Sequence, residues 1–258
     1  MDARRSVLIL DSLDRTGFRR AAPPRAFTEI AMLTVPEDLA LLYAAPPRSE
    51  ITARMRKVVE VASQPARALA AASLIELVLA GRLTVESRRQ RFLRTDVLLV
   101  TNAAGTGDAD LDDVLRRVAG SDVRSCPAWI KDLSKTSRSV YHDRLVARSL
   151  LNAALAADGP VADEDAVQAV RGRLGTVLRH ARPVEPRDVA LVTLLAHIGH
   201  LSILLDDRDW TARGPVGAAK ATRQDERLGR DAAEVYSDLA DFGAIVRIAM
   251  AAAPDPGG

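Results

Sequence analysis

Arginine is the residue type in this chain best suited to bind a ligand. The 36 basic side chains are almost all arginine, since lysine occurs only at Lys57, Lys131, Lys135 and Lys220. A planar guanidinium can donate two parallel hydrogen bonds to one phosphate group. The residue types therefore indicate anion binding, although arginines that solvate exposed helix faces, in an Arg- and Ala-rich composition typical of a GC-rich genome, are the simpler alternative.

Residues that could support metal binding or catalysis lack the partners that this chemistry needs. His197 and His200 have the i, i+3 spacing of a helical metal pair, but no carboxylate or cysteine accompanies them in the same apolar run. Hydrogen-bonded, buried histidines are therefore predicted. Cys126 has no histidine nearby in sequence and is predicted to be structural. The glycines around Thr106 lack the lysine of a phosphate-binding loop. The sequence predicts no enzyme, no metal and no cofactor.

Composition favours a helical protein inside the cell. Apolar residues make up 48% of the 258 residues and aromatic residues only 3%, so the core must consist of Leu, Val, Ile and Ala, which favours packed helices. A net charge of +2 gives no general electrostatic case for nucleic acid. The single cysteine indicates a reducing, cytoplasmic compartment. No apolar stretch is long enough to span a bilayer, so any membrane contact is predicted to be peripheral.

Proline and glycine divide the chain into segments. Residues 1–33 are predicted to be a flexible N-terminal extension, residues 34–252 one mainly α-helical domain with a short β-hairpin, and residues 253–258 a disordered tail. Thr34 or the following Pro36–Glu37 step is expected to open a short helix. Asp108 is expected to cap the helix that follows it. Helices are predicted over residues 66–80, 110–118, 140–157, 164–180, 189–205 and 225–252, and strands over 83–86 and 97–100. The helix over 189–205 is predicted to lie at the centre of the core.

Six segments in sequence resemble the Golgi phosphoprotein 3 family, whose founding members bind phosphatidylinositol 4-phosphate on membranes. The segments are VPEDLALL (35–42), LIELVLAGRL (74–83), TGDADLDDVL (106–115), Trp129 and Ile130 with Leu133, the basic helix after them, and LVTLLAHIGHL (191–201). The resemblance covers roughly residues 34–205. It implies a helical domain around a central apolar helix and a peripheral role at membranes that carry phosphoinositide or other anionic lipids.

The resemblance also implies a lipid pocket built from one aromatic residue and three arginines. The family positions fall on Val61, Ala70, Leu145 and Arg148 in this chain, so only Arg148 keeps the expected residue type. Arg67 lies one helical turn before Ala70 on the same face, and Arg144 lies one turn before Arg148. The sequence therefore predicts a lipid-phosphate site formed by Arg67, Arg144 and Arg148.

Four further expectations concern the surface of the protein and its partners. The family's apolar hairpin after the basic helix is predicted to be missing, because the connection is read as residues 159–165 alone. Arginines of the N-terminal extension could attract anionic lipid instead, at about 1 kcal/mol each near the surface. The alternative function is a protein-interaction or homo-oligomer module that uses the heptad-patterned helix over 225–252. A third is DNA binding by a winged helix, with residues 66–100 as helix and wing.

Overall fold

The protein is described by a computed structural model in which residues 33–45, 64–90, 93–152, 161–179, 184–205 and 241–253 are placed. It is mainly α-helical with a small antiparallel hairpin, as predicted. The helices of this part of the chain are α1 (Val35–Ala44), α2 (Gln64–Leu79), α3 (Ala109–Ala119), α4 (Cys126–Ala147), α5 (Glu164–Leu178), α6 (Pro186–His197), α7 (Leu201–Leu205) and α8 (Phe242–Ala252). The strands are β1 (Leu83–Gln90), β2 (Leu93–Val100), β3 (Leu151–Asn152) and β4 (Val161–Ala162).

The core is built around α2, which packs against α1, α4, α6 and α8. Its residues 68–78 are all buried, and small alanines at positions 70–72 allow the neighbouring helices to approach closely. Leu74, Ile75 and Leu77 fill the space between these helices, and burying each such side chain stabilises the fold by about 1.5–3 kcal/mol. The core is therefore shared between α2 and α6, rather than centred on the predicted helix over 189–205 alone.

The predicted helix over 189–205 is interrupted. α6 ends at His197, and Gly199 adopts a φ of +70°, a conformation that costs glycine little. The amide of His200 donates to the carbonyl of Leu195 and that of Gly199 to Ala196, which is the hydrogen-bond pattern of a helix ended by a left-handed glycine. The single-helix prediction was wrong here because the apolar pattern continues across a glycine that stops the helix.

Helix α1 is short but almost wholly buried, and its start is fixed by a local signal. Thr34 precedes it, and both the backbone amide and the hydroxyl of Thr34 donate to Glu37 Oε2 at 2.9 Å. The Glu37 side chain thus reaches back to the residue before the helix, which confirms the predicted helix start. Glu37 and Asp38 lie inside the protein together with the apolar residues of the helix. α1 therefore brings two carboxylates into the core, where they need partners.

A second small hairpin was missed by the sequence analysis. α4 ends at Ala147, and Ser149 has a φ of +57°, so the predicted helix does not continue to residue 157. β3 then pairs antiparallel with β4, with Leu151 opposite Ala162. The prediction that only residues 159–165 connect the two helices was wrong, because an Ala- and Leu-rich stretch with high helix propensity follows the helix end.

The C-terminal segment is also interrupted. Asp241 has a φ of +59°, and α8 starts at the next residue, so one continuous helix over 225–252 is not formed. In α8 the apolar side chains of Phe242, Ile245 and Ile248 are buried, and the helix packs against α2, α4 and α6. This part of the predicted interaction surface is therefore covered by the chain itself. Residues 225–240 lie outside the described residues.

No helix in the described part of the chain is both long enough and apolar enough to cross a membrane.

Candidate anion-binding site

Arg144 lies in the last turn of α4 and is held by three carboxylates. Its Nη1 and Nη2 donate to the two oxygens of Asp108, each at 2.6 Å, in a bidentate pair. Its Nε donates to Glu37 Oε1 at 3.1 Å, and Nη1 also reaches Asp110 Oδ2 at 3.1 Å. Only 18% of the side chain is exposed. These bonds occupy both edges of the guanidinium, so Arg144 serves mainly to join α1, α3 and α4.

Asp108 is positioned by the turn that precedes α3. Gly107 adopts a φ of +86°, and Asp108 then accepts hydrogen bonds from the amides of Asp110 and Leu111 at 3.1 Å, which confirms the predicted helix cap. Burial acts to raise the pKa of the Asp108 carboxyl, but the hydrogen bond from Arg144 and these amides lower it below its ordinary value. The hydrogen bond to Asp108 in turn raises the pKa of Arg144. Both groups are therefore charged at neutral pH.

Arg148 lies just beyond the end of α4 and shares a partner with Arg144. Its Nε pairs with Glu37 Oε1 at 3.1 Å, and 36% of its side chain is exposed. Glu37 is fully buried, and its carboxylate is compensated by these two arginines and by Thr34. The structure thus brings Arg144 and Arg148 together on one internal carboxylate, with Arg148 the more accessible of the two.

Arg67 lies on another part of the surface. Its Nη2 is 3.5 Å from the carbonyl oxygen of Ala251, near the end of α8. The part of α2 that meets the start of α1 is marked by Glu76, whose Oε2 accepts from the amide of Val35 at 2.8 Å. Arg67 precedes Glu76 by nine residues, about 13 Å of helix rise. Arg67 therefore shares no partner with Arg144 or Arg148 among the described residues.

The other positions transferred from the family have no room for a ligand contact. Ala70 and Leu145 are each 0% exposed. Their small or apolar side chains pack inside the helical core, where a guanidinium would have no water and no partner. Val61 lies outside the described residues. The two missing arginines thus coincide with core positions of this chain.

A second pair of buried carboxylates is compensated on the other side of α1. Arg173 of α5 pairs through Nη2 with Asp38 Oδ2 and through Nε with Asp188 Oδ1, the latter at 3.0 Å. Asp38 is only 3% exposed, and its Oδ1 has no hydrogen-bond partner within the described residues. Burial raises the pKa of Asp38 to about 7, with Arg173 acting in the opposite direction.

This raised pKa predicts a pH dependence of stability. Between the ordinary pKa of 3.8 and about 7, folded Asp38 retains a proton that the unfolded chain has lost. Its contribution to the free energy of unfolding therefore falls as pH rises through this window. In Asp38→Asn this contribution is removed, so the wild-type protein is expected to lose about 1 kcal/mol or more relative to the variant from pH ~5 to pH ~8. Urea unfolding of both proteins at a series of pH values measures the difference between their free energies of unfolding. A stability of the wild type that rises with pH relative to the variant would contradict the prediction.

His197 and His200 make structural hydrogen bonds, and Cys126 is buried. His200 Nδ1 is 2.5 Å from the Tyr43 hydroxyl and Nε2 is 2.7 Å from Gln64 Oε1, while burial lowers its pKa to about 4. His197 Nδ1 is bonded to the carbonyl of Thr193. Cys126 is buried, and burial raises the pKa of its thiol to about 12. No group of three or more potential metal ligands occurs among the described residues.

The winged-helix alternative does not fit this arrangement. Its recognition helix would be α2, and a recognition helix must present side chains to a DNA groove. Residues 68–78 of α2 are instead buried beneath four other helices. The hairpin β1–β2 is present, but the helix before it cannot reach a base.

A group of three arginines between the end of α3 and the start of α4 was not predicted as a site from the sequence. Arg116 and Arg117 lie in the last turn of α3, and Arg124 lies in the connection to α4, next to Trp129. The adjacent Arg116–Arg117 pair, followed by Gly120 and then Arg124, is a signal that sequence reasoning could have used. It is easily read as an ordinary basic helix end.

A comparison with known protein families finds one family model that matches most of the chain. The family model of Golgi phosphoprotein 3 (GPP34) matches residues 35–239, from the first residue of α1 to the segment before α8. No curated protein matches the chain significantly. The matched region contains α1, the hairpin β1–β2, and the α4 helix with Arg144 and Arg148. Because the match covers more than half of the sequence, the chain belongs to the Golgi phosphoprotein 3 family.

Proposed function

We propose that this protein is a non-catalytic peripheral membrane protein that binds the phosphate groups of anionic lipids, including phosphatidylinositol 4-phosphate. Family membership supports the general role. The observation that carries the proposal is the position of Arg148, a partly exposed arginine fixed through Nε by the buried Glu37. Arg148 is the phosphate contact, and Arg144 positions it by holding the same carboxylate.

The local charge limits how strongly this site can act alone. Two arginines, Arg144 and Arg148, face the three carboxylates of Glu37, Asp108 and Asp110. The C-terminal end of α4 also carries a partial negative charge, which disfavours an anion. A single headgroup is therefore bound weakly, and useful affinity requires a surface that presents many headgroups.

The N-terminal arginines supply the remaining attraction in this proposal. Six arginines occur in residues 1–33, at positions 4, 5, 15, 19, 20 and 25. A basic segment gains about 1 kcal/mol per residue close to an anionic membrane, without a defined pocket. Arg67, which contacts the end of α8, is not part of the site. Binding is thus mainly electrostatic and falls as salt concentration rises.

Vesicle co-sedimentation of the full chain tests this proposal. Binding is expected to vesicles of phosphatidylcholine with phosphatidylinositol 4-phosphate, but not to phosphatidylcholine alone. Arg148→Gln is expected to weaken the apparent affinity about fivefold to tenfold, the loss of one partly exposed charged hydrogen bond. Arg138→Gln, which removes an exposed arginine from the same helix, is the matched control and should bind as the wild type does.

Two results would argue against the proposal. Equal binding to both kinds of vesicle would show that anionic lipid is not recognised. Equal weakening by Arg148→Gln and Arg138→Gln would show that only net charge matters and that Arg148 forms no site.

A further inference from the structure

A surface pocket of about 320 Å³ lies between the end of α3 and the start of α4. It is lined by Arg116, Arg117, Gly120, Ser121, Arg124, Trp129 and Asp132. Trp129 precedes Arg148 by nineteen residues, about 28 Å of helix rise along α4. The pocket is therefore separate from the site at the other end of that helix. Its size is at the lower limit of small-molecule sites and suits a compact polar group.

The pocket contains more positive than negative charge. Asp132 is shared by three cations, with Arg117 Nη2 at 2.7 Å, Lys135 Nζ at 2.8 Å and Arg124 Nη1 at 3.8 Å. Arg116 pairs with Asp113 at 3.1 Å. Four cations thus face two carboxylates in this part of the chain. An anion with two negative charges would balance the cluster.

Two of the arginines are held in place before any ligand arrives. The guanidinium of Arg124 lies over the ring of Trp129, with its central carbon 4.6 Å from the ring centroid. Such a contact fixes the plane of the guanidinium while its N–H groups remain directed along the edges. Arg117 is fixed by its short bond to Asp132. Because these side chains are already ordered, a ligand loses less binding energy in ordering them.

Helix-end electrostatics do not account for the whole cluster. Arg116 and Arg117 are in the last turn of α3, where positive charge stabilises a helix. Arg124 lies outside both helices, and its only short-range carboxylate contact in the described chain is the 3.8 Å approach to Asp132. Its position over Trp129 gives the pocket a planar donor that does not belong to the helix end.

We propose that this pocket binds a phosphate group, with Arg117 and Arg124 as the principal donors and Arg116 as an outer contact. A phosphate monoester has the charge and the oxygen geometry that paired guanidinium groups match. The group belongs either to a soluble phosphate compound or to a lipid headgroup. Val123 is an apolar side chain beside Arg124 and is 54% exposed. A membrane that presented the lipid headgroup would cover Val123, whereas a soluble phosphate compound would leave it exposed.

The tryptophan in the pocket allows a direct binding test on the full chain. Trp129 and Trp210 are the two tryptophans, so Trp210→Phe leaves Trp129 as the sole tryptophan, whose fluorescence can be excited selectively. This protein is titrated with inorganic phosphate, with inositol 1,4-bisphosphate, and with phosphatidylcholine vesicles that do or do not contain phosphatidylinositol 4-phosphate. Isothermal titration calorimetry measures the two soluble probes independently of fluorescence. A saturable signal is expected with at least one phosphate-bearing probe.

Variants identify the residues responsible. The double variant Arg117→Gln, Arg124→Gln is expected to raise the dissociation constant for the phosphate-bearing probe at least about tenfold, or 1.4 kcal/mol. Arg88→Gln with Arg89→Gln removes the same charge from the exposed hairpin and is the matched control. Arg116→Gln changes a side chain that is 72% exposed, so it should leave the fold intact and still weaken binding. Arg138→Gln, which removes an exposed arginine of α4 that lines neither site, should leave binding here unchanged.

The results support or overturn the proposal as follows. Saturable binding of the soluble probes that the Arg117→Gln, Arg124→Gln double variant weakens at least about tenfold supports a soluble phosphate ligand. Binding to the phosphoinositide vesicles alone, lost in the same variant, supports a lipid headgroup with Val123 at the membrane. Absence of a saturable signal with every probe overturns the proposal, as does equal loss in the hairpin control.

Discussion

Replacing Arg144 with glutamine is expected to lower the free energy of unfolding by about 3–5 kcal/mol, the cost of removing one partner from a buried ionic network. The reason is that Glu37 is fully buried and Asp108 accepts both of its short bonds from this one guanidinium. Glutamine cannot compensate either charge. Chemical denaturation of the purified protein at neutral pH measures the change.

Arg148→Gln provides the comparison for this prediction. Arg148 shares Glu37 but is twice as exposed, so its loss is expected to cost about 1 kcal/mol or less. Similar losses from the two variants would contradict the assignment of Arg144 as the structural member of the pair. The same comparison aids the vesicle experiment, because a variant that binds less while remaining stable has lost a contact rather than the fold.

Replacing Glu76 with alanine is expected to destabilise the fold by about 2–4 kcal/mol. Glu76 is 3% exposed, accepts from the amide of Val35 at 2.8 Å, and pairs with Arg187 Nη2 at 2.7 Å. It therefore joins α1, α2 and α6 at one point. Alanine would leave a buried backbone N–H without a partner and would remove the partner of Arg187.

The Glu76 prediction has two controls. Glu76→Gln keeps an acceptor for the Val35 amide, so it should recover part of the loss. Glu86→Ala removes an exposed glutamate whose pair with Arg88 is at the surface, and the expected change is within about 0.5 kcal/mol. Thermal and urea unfolding of the three variants measure the order of their stabilities. An alanine variant at position 76 as stable as the one at position 86 would refute the argument.

The parts of the fold that were predictable from the sequence depend on local signals. The Thr34–Glu37 spacing and Asp108 before an acidic first turn each fix a helix start within three residues. The two strands of the first hairpin also follow from local pattern, although they extend beyond the predicted ends. Such signals are visible because the interacting residues are neighbours along the chain.

The errors in the predicted helix ends come from backbone conformations that the residue types permit but do not require. Ser149 adopts a left-handed φ that serine rarely takes, and this ends α4 within an Ala- and Leu-rich stretch. Asp241 does the same before α8, and aspartate is one of the few residues that tolerate it. Gly199 carried a clear signal, but the apolar residues on both sides outweighed it in the prediction.

The candidate site was only partly predictable because it depends on contacts between distant residues. Arg144 and Arg148 were singled out, but their carboxylate partner Glu37 precedes Arg144 by 107 residues. In sequence, Glu37 is indistinguishable from an ordinary acid in a helix first turn. Arg67 was grouped with them by its distance from Ala70, and helical spacing does not tell which end of α2 meets the start of α1. The paired arginines beside Trp129 required knowledge of how α3 turns into α4.

The burial of acids in α1 has a consequence for how the chain folds during synthesis. Glu76, Arg144, Arg173 and His200 follow their α1 partners by 41, 107, 135 and 157 residues. Translation therefore delivers the acids of α1 long before the arginines that neutralise them. At ordinary elongation rates, on the order of 5–20 residues per second, α1 is synthesised about 5 to 30 seconds before these partners. The first helix of the described residues to leave the ribosome is thus among the last that can settle in its native place.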